Sequence, residues 1–594
     1  MRGSEAPLLP RWARIAALVV LALFLAVWAW WPMLAQYPGT AIEDGRYFHH
    51  QIAIGKAAVL RYHEVPLWNA FDCRGIPMWD HPENLTASPI FWLTLPLSTT
   101  VTIIVWNLLH VAAGFVGMWL LARMEFKLSR MAAFVAAAFW AFGAGHTSQY
   151  AGEHEALISF LDAPILLLLW RRAETSWSAA VGCGLALGWM VYDGATYPLP
   201  FTVVMLGLET LLRVWPPKRG LRVAGAAAVV GLVAFTVGAS RLLPLMDQFA
   251  AHKRVMEDDV DGLLDWQLLR DMYTLRTPHW RSRFHPHQYV FGEYISYVGW
   301  LGVALALLGM AASAAETGWL IGLSALVVLL MLGHFSPYAP WTWLHAHVFP
   351  FKSMRVSARF RLLLMVPISL WIAFATERVP EIVRKFSPSW GNAARAVVVG
   401  CALLAAGDVV GLGQEILVYR FADPPEKPVT PSPRFYYGGP GLAGDTIDEP
   451  RQNRAYLGCR AAWVYNADAA LWEGDVPQAR APANHAVIES VVRTHNSFSL
   501  DVDAKEPTRI LLNSAYDRGW QSTIGTVVDQ GHLLALDVPS GKFHITVKYW
   551  PAKLTLGMCL SAIGLLGSLL FLFRHKIRKW RRGSGKPALK AEEA

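Results

Sequence analysis

Two adjacent carboxylates, Glu43 and Asp44, stand in the run Ile42-Glu43-Asp44-Gly45-Arg46-Tyr47, just beyond the apolar stretch Ile15 to Trp31. A carboxylate held at a membrane surface can take the proton from an acceptor hydroxyl while a leaving group departs. Aspartate is also a preferred helix N-cap, so a cap on a helix running from Arg46 toward Leu60 accounts for the same residues. A second cluster, Glu153, His154 and Glu155, follows Gly152. It suits the orientation of an acceptor or the holding of a divalent cation, although its spacing is no zinc signature. A solvated polar turn is the structural alternative. The third cluster is Arg355, Arg359 and Arg361, close to Lys352. Guanidinium groups bind phosphate oxygens bidentately and stabilise the charge that grows on a leaving phosphate. A spacing of four puts Arg355 and Arg359 on one helical face if the helix has begun there. Snorkelling to lipid headgroups is the alternative.

These residues must be positioned by membrane helices. Of 594 residues, 54% are hydrophobic and only 16% charged, which is far more apolar than a soluble globular chain. The net charge of +9 sits in short basic groups at the ends of apolar runs, where topology and anionic headgroups explain it; nucleic acid is not an expected partner. A span takes about 20 apolar residues, and shorter runs serve inside a bundle, so about twelve spans are expected. They centre on Ile15–Trp31, Thr100–Leu121, Met131–Gly145, Ala156–Trp170, Ala179–Val191, Pro198–Leu212, Val223–Leu245, Tyr294–Ala312, Trp319–Gly333, Leu362–Ala375, Ala396–Gly413 and Leu554–Phe573. The first lacks a small-x-small cleavage site and reads as a retained span.

Lys and Arg collect in alternate loops, which places both termini in the cytoplasm. The turn near Glu316 breaks the pattern, because it carries no base. The same alternation puts residues 32–98, 247–293, 334–361 and 418–552 outside. An outer cluster of Lys352 and three arginines therefore runs against the usual charge bias, which favours a functional role. Expected units are a helical bundle over 1–417 with its long first outer loop at 32–98, an outer β-rich unit over 418–552, a final span at 553–573 and a basic cytoplasmic tail at 574–594. The β-rich expectation rests on alternating runs such as Phe498 to Val502 and His544 to Tyr549, separated by turn residues, and suggests a small sandwich.

Five cysteines show no paired metal spacing. Cys73 and Cys459 both fall outside, where they stand either as two thiols or as one cross-link, and proximity decides between them. Asp193, Arg241 and Asp408 lie in or at the ends of apolar runs, where ionisable groups face a partner or a cavity. His49, His50, His63 and His81 crowd the first loop with Trp68 and Trp79, which reads as an interfacial belt or a sugar-stacking platform.

The acid after the first span, followed by Pro66-Leu67-Trp68-Asn69 and Gly75-Ile76-Pro77, resembles the YfhO-like bacterial membrane proteins, relatives of the GT-C glycosyltransferases. Gly333-His334 to Pro337, Pro350 and the run Arg355 to Phe360 resemble that family's late outer loop, with Ser357 where the family usually has proline. Tyr516 to Trp520, Pro539-Ser540-Gly541 and Tyr549-Trp550-Pro551 are similar to its terminal β-unit. The resemblance implies a GT-C-like bundle in a bacterial cell membrane. It implies a transferase that moves a sugar from a polyprenyl-phosphate donor to an extracytoplasmic glycan or cell-wall acceptor, by inverting displacement. Asp44, with Glu43, would then be the base, Glu153, His154 and Glu155 acceptor-side groups, and Arg355, Arg359 and Arg361 the phosphate clamp. The resemblance fixes no cofactor; a divalent cation at the acidic cluster is an option that the sequence leaves open. A transporter or lipid flippase, with intramembrane charges lining its path, and a non-catalytic scaffold are the competing classes.

Overall fold

A computed structural model describes residues 10–40, 43–152, 154–194, 196–214, 217–252, 264–279, 281, 289–425, 432, 434–438, 450–459 and 468–583, without the side chains of Arg11, Glu43, Asp44, Pro217, Lys218 and residues 575–583. The first helices are α1 (Arg11–Ala29), α2 (Trp31–Ala35) and α3 (Glu43–Tyr62). A short hairpin β1 (Trp68–Asn69) and β2 (Ile76–Pro77) follows, then α4 (Pro89–Leu93), α5 (Thr99–Met124), α6 (Arg130–Ala141) and α7 (Ala144–Ala151). Next come α8 (Ala163–Ala173), α9 (Trp177–Tyr192), α10 (Pro198–Leu211), α11 (Pro217–Ala251), α12 (Trp266–Thr274), α13 (Gly299–Met331), α14 (Pro340–His347), α15 (Arg361–Phe386) and α16 (Trp390–Leu417).

Every apolar run expected from the sequence contains a helix. Among the described residues, seven helical segments are long and apolar enough to cross a membrane: Trp12–Ala29, Thr99–Met124, Arg219–Ala251, Gly299–Met331, Ser357–Phe386, Trp390–Leu417 and Leu554–Arg574. The chain is a multi-span membrane protein. Serines start several of these helices: the side chains of Ser98, Ser129 and Ser176 accept from the amides of Val101, Ala132 and Ala179 and satisfy a free helix end. α15 is the hub of the bundle, buried along almost its whole first half, whereas α1 leaves Phe24 66% exposed. An apolar side chain left that open on a spanning helix faces lipid.

The two spans expected on either side of Glu316 form one continuous helical element, α13, and its contacts show that it doubles back. Arg359 pairs with Glu293, just before α13 begins, while the neighbouring Ser357 Oγ donates to the Met331 carbonyl at its end. Glu316 instead pairs with Arg378, nineteen residues along α15 from Arg359 and about 28 Å away at 1.5 Å per residue. A straight α13 would carry Met331 still farther from Ser357. The chain therefore reverses near Glu316, and both limbs lie in the bundle. Gly309 allows the first limb to touch α15, since a Cβ there would overlap the Trp371 carbonyl. Gly333, at φ +72°, ends the second limb.

After α16 the chain forms the short parallel pair β3 (Tyr436–Tyr437) and β4 (Arg454–Ala455). Then come β5 (Ala479–Arg480), β6 (Ala486–Arg493), β7 (Ser497–Ala504), β8 (Thr508–Ala515), β9 (Trp520–Ser522), β10 (Thr526–Gln530), β11 (Leu533–Val538) and β12 (Gly541–Tyr549), before α17 (Leu554–Gly583). Two antiparallel sheets result, in the orders β10-β11-β8-β5 and β6-β7-β12-β9. Alternation decides which face is buried: Phe498, Leu500, Val502 and Ala504 of β7 point inward and meet Leu512, Leu534 and Leu536 of the other sheet.

The first loop is part of this core. Trp68 packs at 5.2 Å from Trp520 and 4.6 Å from Tyr549, ring centre to ring centre. Leu67, Phe71 and Met78 join the same hydrophobic cluster. Cys73 and Cys459 are disulfide-bonded, with Cα atoms 4.3 Å apart, so the cross-link alternative is the one the fold adopts. Trp68, His49, His50 and His81 are buried, which takes these four out of the expected surface belt, whereas Trp79 is half-buried and His63 exposed.

Candidate functional site

α3 opens at Glu43, so Asp44 lies in its first turn and not at a preceding cap; the side chains of both acids lie outside the described residues. The start of α3 is tied to the chain after α16. Arg46 Nε donates to Asp423 Oδ2 at 2.9 Å, and the Thr40 amide donates to the Asp423 carbonyl at 3.0 Å. One turn beyond Asp44, Tyr47 is buried. Burial first, then the Glu83 and Asp72 carboxylates, push its phenol well above the ordinary value. The first turns of α3 thus face carboxylates of the first loop.

The acidic cluster after α7 divides. Glu153 lies outside the described residues. Glu155 is buried and pairs with the buried Arg420, whose charge also acts on His49 of α3. That commitment makes Glu155 a fastening between the bundle and α3. His154 looks the other way: its Nδ1 lies 3.0 Å from Gln149 Oε1 and 3.8 Å from Glu293 Oε1.

Glu293 is the centre of the arrangement. Arg359 donates to it twice, Nε to Oε2 at 3.0 Å and Nη2 to Oε1 at 2.6 Å, and Gln149 Nε2 donates to Oε2 at 3.2 Å. Burial alone would raise the Glu293 carboxyl. Arg359, His154 and Arg361 outweigh it and hold the group well below the usual carboxylate range. Arg359 also stacks over Tyr197, 4.3 Å from the ring centre, and feels the Glu83 carboxylate. Arg361 is fully buried and donates Nη2 to the Gly292 carbonyl at 2.9 Å.

The arginines differ from their expected arrangement. α15 begins only at Arg361, after a 3-10 turn at Ser357–Phe360, so Arg355 precedes the helix and shares no α-helical face with Arg359. Arg355 is exposed, its guanidinium 5.7 Å from the Tyr289 ring centre and its amide donating to Tyr197 Oη at 3.2 Å. Ser357 uses its hydroxyl on the end of α13.

An apolar groove of about 460 Å³ is walled by Leu199 and Val203 of α10, Leu242 and Phe249 of α11, and Leu344 and Phe351. Pro82 and Thr196 also line it, and the residues that follow them in the chain are Glu83 and Tyr197. A larger cavity of about 800 Å³ lies among the β-strands and is lined by Arg480, Ile488 and Arg493; it holds none of the expected site residues. Among the described residues, the one group with metal-ligand proximity is Asp72, Cys73 and Cys459, and its two sulfurs are spent in the disulfide.

The charges that stood alone in the sequence now have partners. Asp193 Oδ1 accepts from Ser88 Oγ at 2.5 Å and Oδ2 lies 3.4 Å from His110 Nε2. Arg241 caps the carbonyls of Tyr192, His81, Pro82 and Asn84. Asp408 pairs with Arg276 at 2.9 Å. Sequence reasoning missed Glu293, Gln149 and Tyr197. The excess of outer arginine was a signal for a compensating acid, and Glu293 sits at the mouth of an expected span.

No family model matches the chain, and no curated protein matches it. Solved structures with partial likeness include the arabinofuranosyltransferase AftD from Mycobacteria, at 17% identity and a TM-score of 0.44 over 70% of this chain and 27% of that one. ArnT from Cupriavidus metallidurans bound to undecaprenyl phosphate aligns at 13% identity and a TM-score of 0.42, over 75% of this chain and 86% of that one. The Archaeoglobus fulgidus oligosaccharyltransferase aligns at 12% identity and a TM-score of 0.38, over 75% and 64%. The chain spans about a quarter of the length of the mycobacterial protein.

Proposed function

We propose that this chain is a membrane glycosyltransferase that moves a sugar from a polyprenyl-phosphate donor to an extracytoplasmic glycan or cell-wall acceptor, with inversion. The observation that carries the reading is the apolar groove walled by α10 and α11, lined by Thr196, the residue before Tyr197, which in turn lies beside Arg355 and Arg359. A groove at the depth of spanning helices suits an isoprenoid chain, and a guanidinium at its end suits the attached phosphate. The motif resemblance of the first loop and late outer loop supports the same chemistry.

In this reading about twelve helices cross the bilayer, both termini are cytoplasmic, and the site opens outside. Arg355, exposed beside Tyr197, binds the phosphate directly. Arg359, fixed on Glu293, and the buried Arg361 set the positive field that stabilises the departing phosphate. Asp44, in the first turn of α3 with Glu43 beside it, takes the proton of the acceptor hydroxyl as that oxygen attacks the anomeric carbon. The carbon–oxygen bond to phosphate breaks on the opposite face and its electron pair leaves with the phosphate. His154 orients the acceptor, with Glu153 its neighbour in the sequence, while Glu155 holds Arg420. The β-rich unit over 418–552 frames the acceptor side. A transporter would need a polar path through the bundle, whereas Arg241, Asp193 and Asp408 are each engaged by neighbouring groups.

Purified protein given a radiolabelled polyprenyl-phosphate sugar and cell-envelope acceptor tests this. Asp44→Asn is expected to lose about 10²- to 10⁴-fold in turnover with an unchanged melting temperature. Undiminished transfer by that variant would remove Asp44 as the base, and no transfer by the parent protein with any polyprenyl-phosphate sugar would remove the transferase reading.

A further inference from the structure

Arg241 of α11 is fully buried and holds one stretch of the first loop by its backbone. Its Nη2 donates to the carbonyls of His81, Pro82 and Asn84 at 3.1, 3.2 and 2.6 Å, and its Nη1 to that of Tyr192 at 2.6 Å. Asp193, the next residue, supplies the opposing charge and accepts from Ser88 Oγ at 2.5 Å. Thr196 Oγ1 donates to the Pro82 carbonyl at 3.5 Å, and a Cβ on Gly194 would stand 3.2 Å from the Asn84 carbonyl oxygen. A buried guanidinium is costly to place, so a stretch fastened in this way has one defined geometry. The acidic side chain within it, Glu83, takes part in none of these bonds.

The surroundings of Glu83 give that side chain a place in the reaction. Its carboxylate acts electrostatically on two residues, Tyr47 and Arg359. Tyr47 is three residues beyond Asp44 in α3, and positions three apart share a helical face. Asp72 also acts on Tyr47, but it is fully enclosed, whereas Glu83 is half-buried and open to a ligand. Arg359 has its counter-ion already, since Glu293 takes it in two bonds. In a displacement with inversion the attacking oxygen and the departing phosphate lie on opposite faces of the anomeric carbon. The transferred sugar must then sit between the α3 face that carries Asp44 and the Arg359 side, which are the two sides that Glu83 reaches.

We infer that Glu83 recognises the transferred sugar, its carboxylate accepting hydrogen bonds from the ring hydroxyls. The inference deepens the transferase reading and rests on it. An ionised carboxylate only accepts, and its two oxygens take two neighbouring hydroxyls in short, charge-assisted bonds. A site built to pair with hydroxyls binds poorly whatever lacks them. Charge adds to this selection. A polyprenyl phosphate that has lost its sugar is a monoester with more negative charge than the donor diester, so Glu83 repels the product more than the donor.

The test measures binding to the full-length protein in detergent, by microscale thermophoresis, of polyprenyl phosphate and of the same lipid carrying glucose, mannose or arabinose. The parent protein is expected to bind at least one of the glycosylated lipids about ten-fold more tightly than polyprenyl phosphate. Glu83→Ala should erase that preference from both directions, weakening the glycosylated lipid and tightening the bare phosphate. Glu83→Gln, which keeps one acceptor oxygen and loses the charge, should fall between the two. The tightening is a gain that a loosened loop would not produce, and melting temperatures close to the parent's establish folding. A preference unchanged in both variants, or a parent protein that prefers none of the glycosylated lipids, would overturn the proposal. Binding needs no turnover, which separates the two readings. A preference that depends on Glu83 in a protein that transfers no sugar would remove the proposal through its premise and leave a lipid-sugar binding site. Sugar transfer by the parent protein, with the preference intact in Glu83→Ala, would remove Glu83 and leave the transferase standing.

Discussion

Glu293 decides how the buried arginines behave. Its carboxyl is held well below the ordinary range, so its contribution to stability is full above the unfolded value of about 4.3 and is lost progressively as pH falls below that value. Removing one partner of a buried pair costs about 3–5 kcal/mol because the other charge is left alone. Glu293→Gln should therefore lower the melting temperature more than the double replacement Glu293→Gln with Arg359→Met. A double-mutant cycle in detergent reads this directly, and equal losses would mean that Arg359 finds another partner. Asp80 behaves in the opposite sense. Burial first, then the Asp517 carboxylate, push it up to about 8, with Gln248 opposing as a donor. Its folded value lies above the unfolded value near 3.9, so the folded state holds the extra proton between those limits. The stability it contributes is full below about pH 4 and lost as pH rises to about 8. Asp80→Asn should flatten the fall of melting temperature between pH 5 and 8, and an unchanged pH slope would place the titration elsewhere.

At the scale of elements, the first loop and the two sheets share one core. The Cys73–Cys459 bond joins them across 386 residues of chain, beside Trp68, which packs on Trp520 and Tyr549. Replacing both cysteines by serine should cost about 2–5 kcal/mol, read as a lower melting temperature that a reductant reproduces in the parent protein. If reductant and double serine leave the transition unmoved, packing around Trp68 carries the junction alone. The alternation of β7 made its buried face legible from the sequence, because period two is a local property. That Trp68 and Phe71 are core residues of the sheets was not legible, since the pairing joins segments some 450 residues apart in the chain. The same holds for Arg420 with Glu155. The arginine run was visible, but its geometry was not, because a 3-10 turn delays α15 until Arg361 and breaks the spacing-of-four argument.

For the whole molecule, the turn at Glu316 sets the side on which everything after it lies. Charge counting left that turn without a base, yet Arg378 from α15 pairs with Glu316 across the bundle, so the missing positive charge is supplied by another helix. Both ends of α13 then share a face with Glu293, Arg355 and Arg359, and the segment holding Tyr338 lies on the proposed outer side. Single cysteines in a background with Cys183, Cys401 and Cys559 replaced by serine test this orientation with a membrane-impermeant maleimide. Tyr338, 93% exposed, is expected to label as Tyr338→Cys in intact cells. Glu316→Cys and Ser389→Cys should label only after permeabilisation, because both positions lie at the other end of α15 from Arg359. A straight α13 would instead bury position 316 in the middle of the bilayer, where no aqueous maleimide reaches it from either side. Labelling of Glu316→Cys after permeabilisation separates the doubled-back helix from the single crossing.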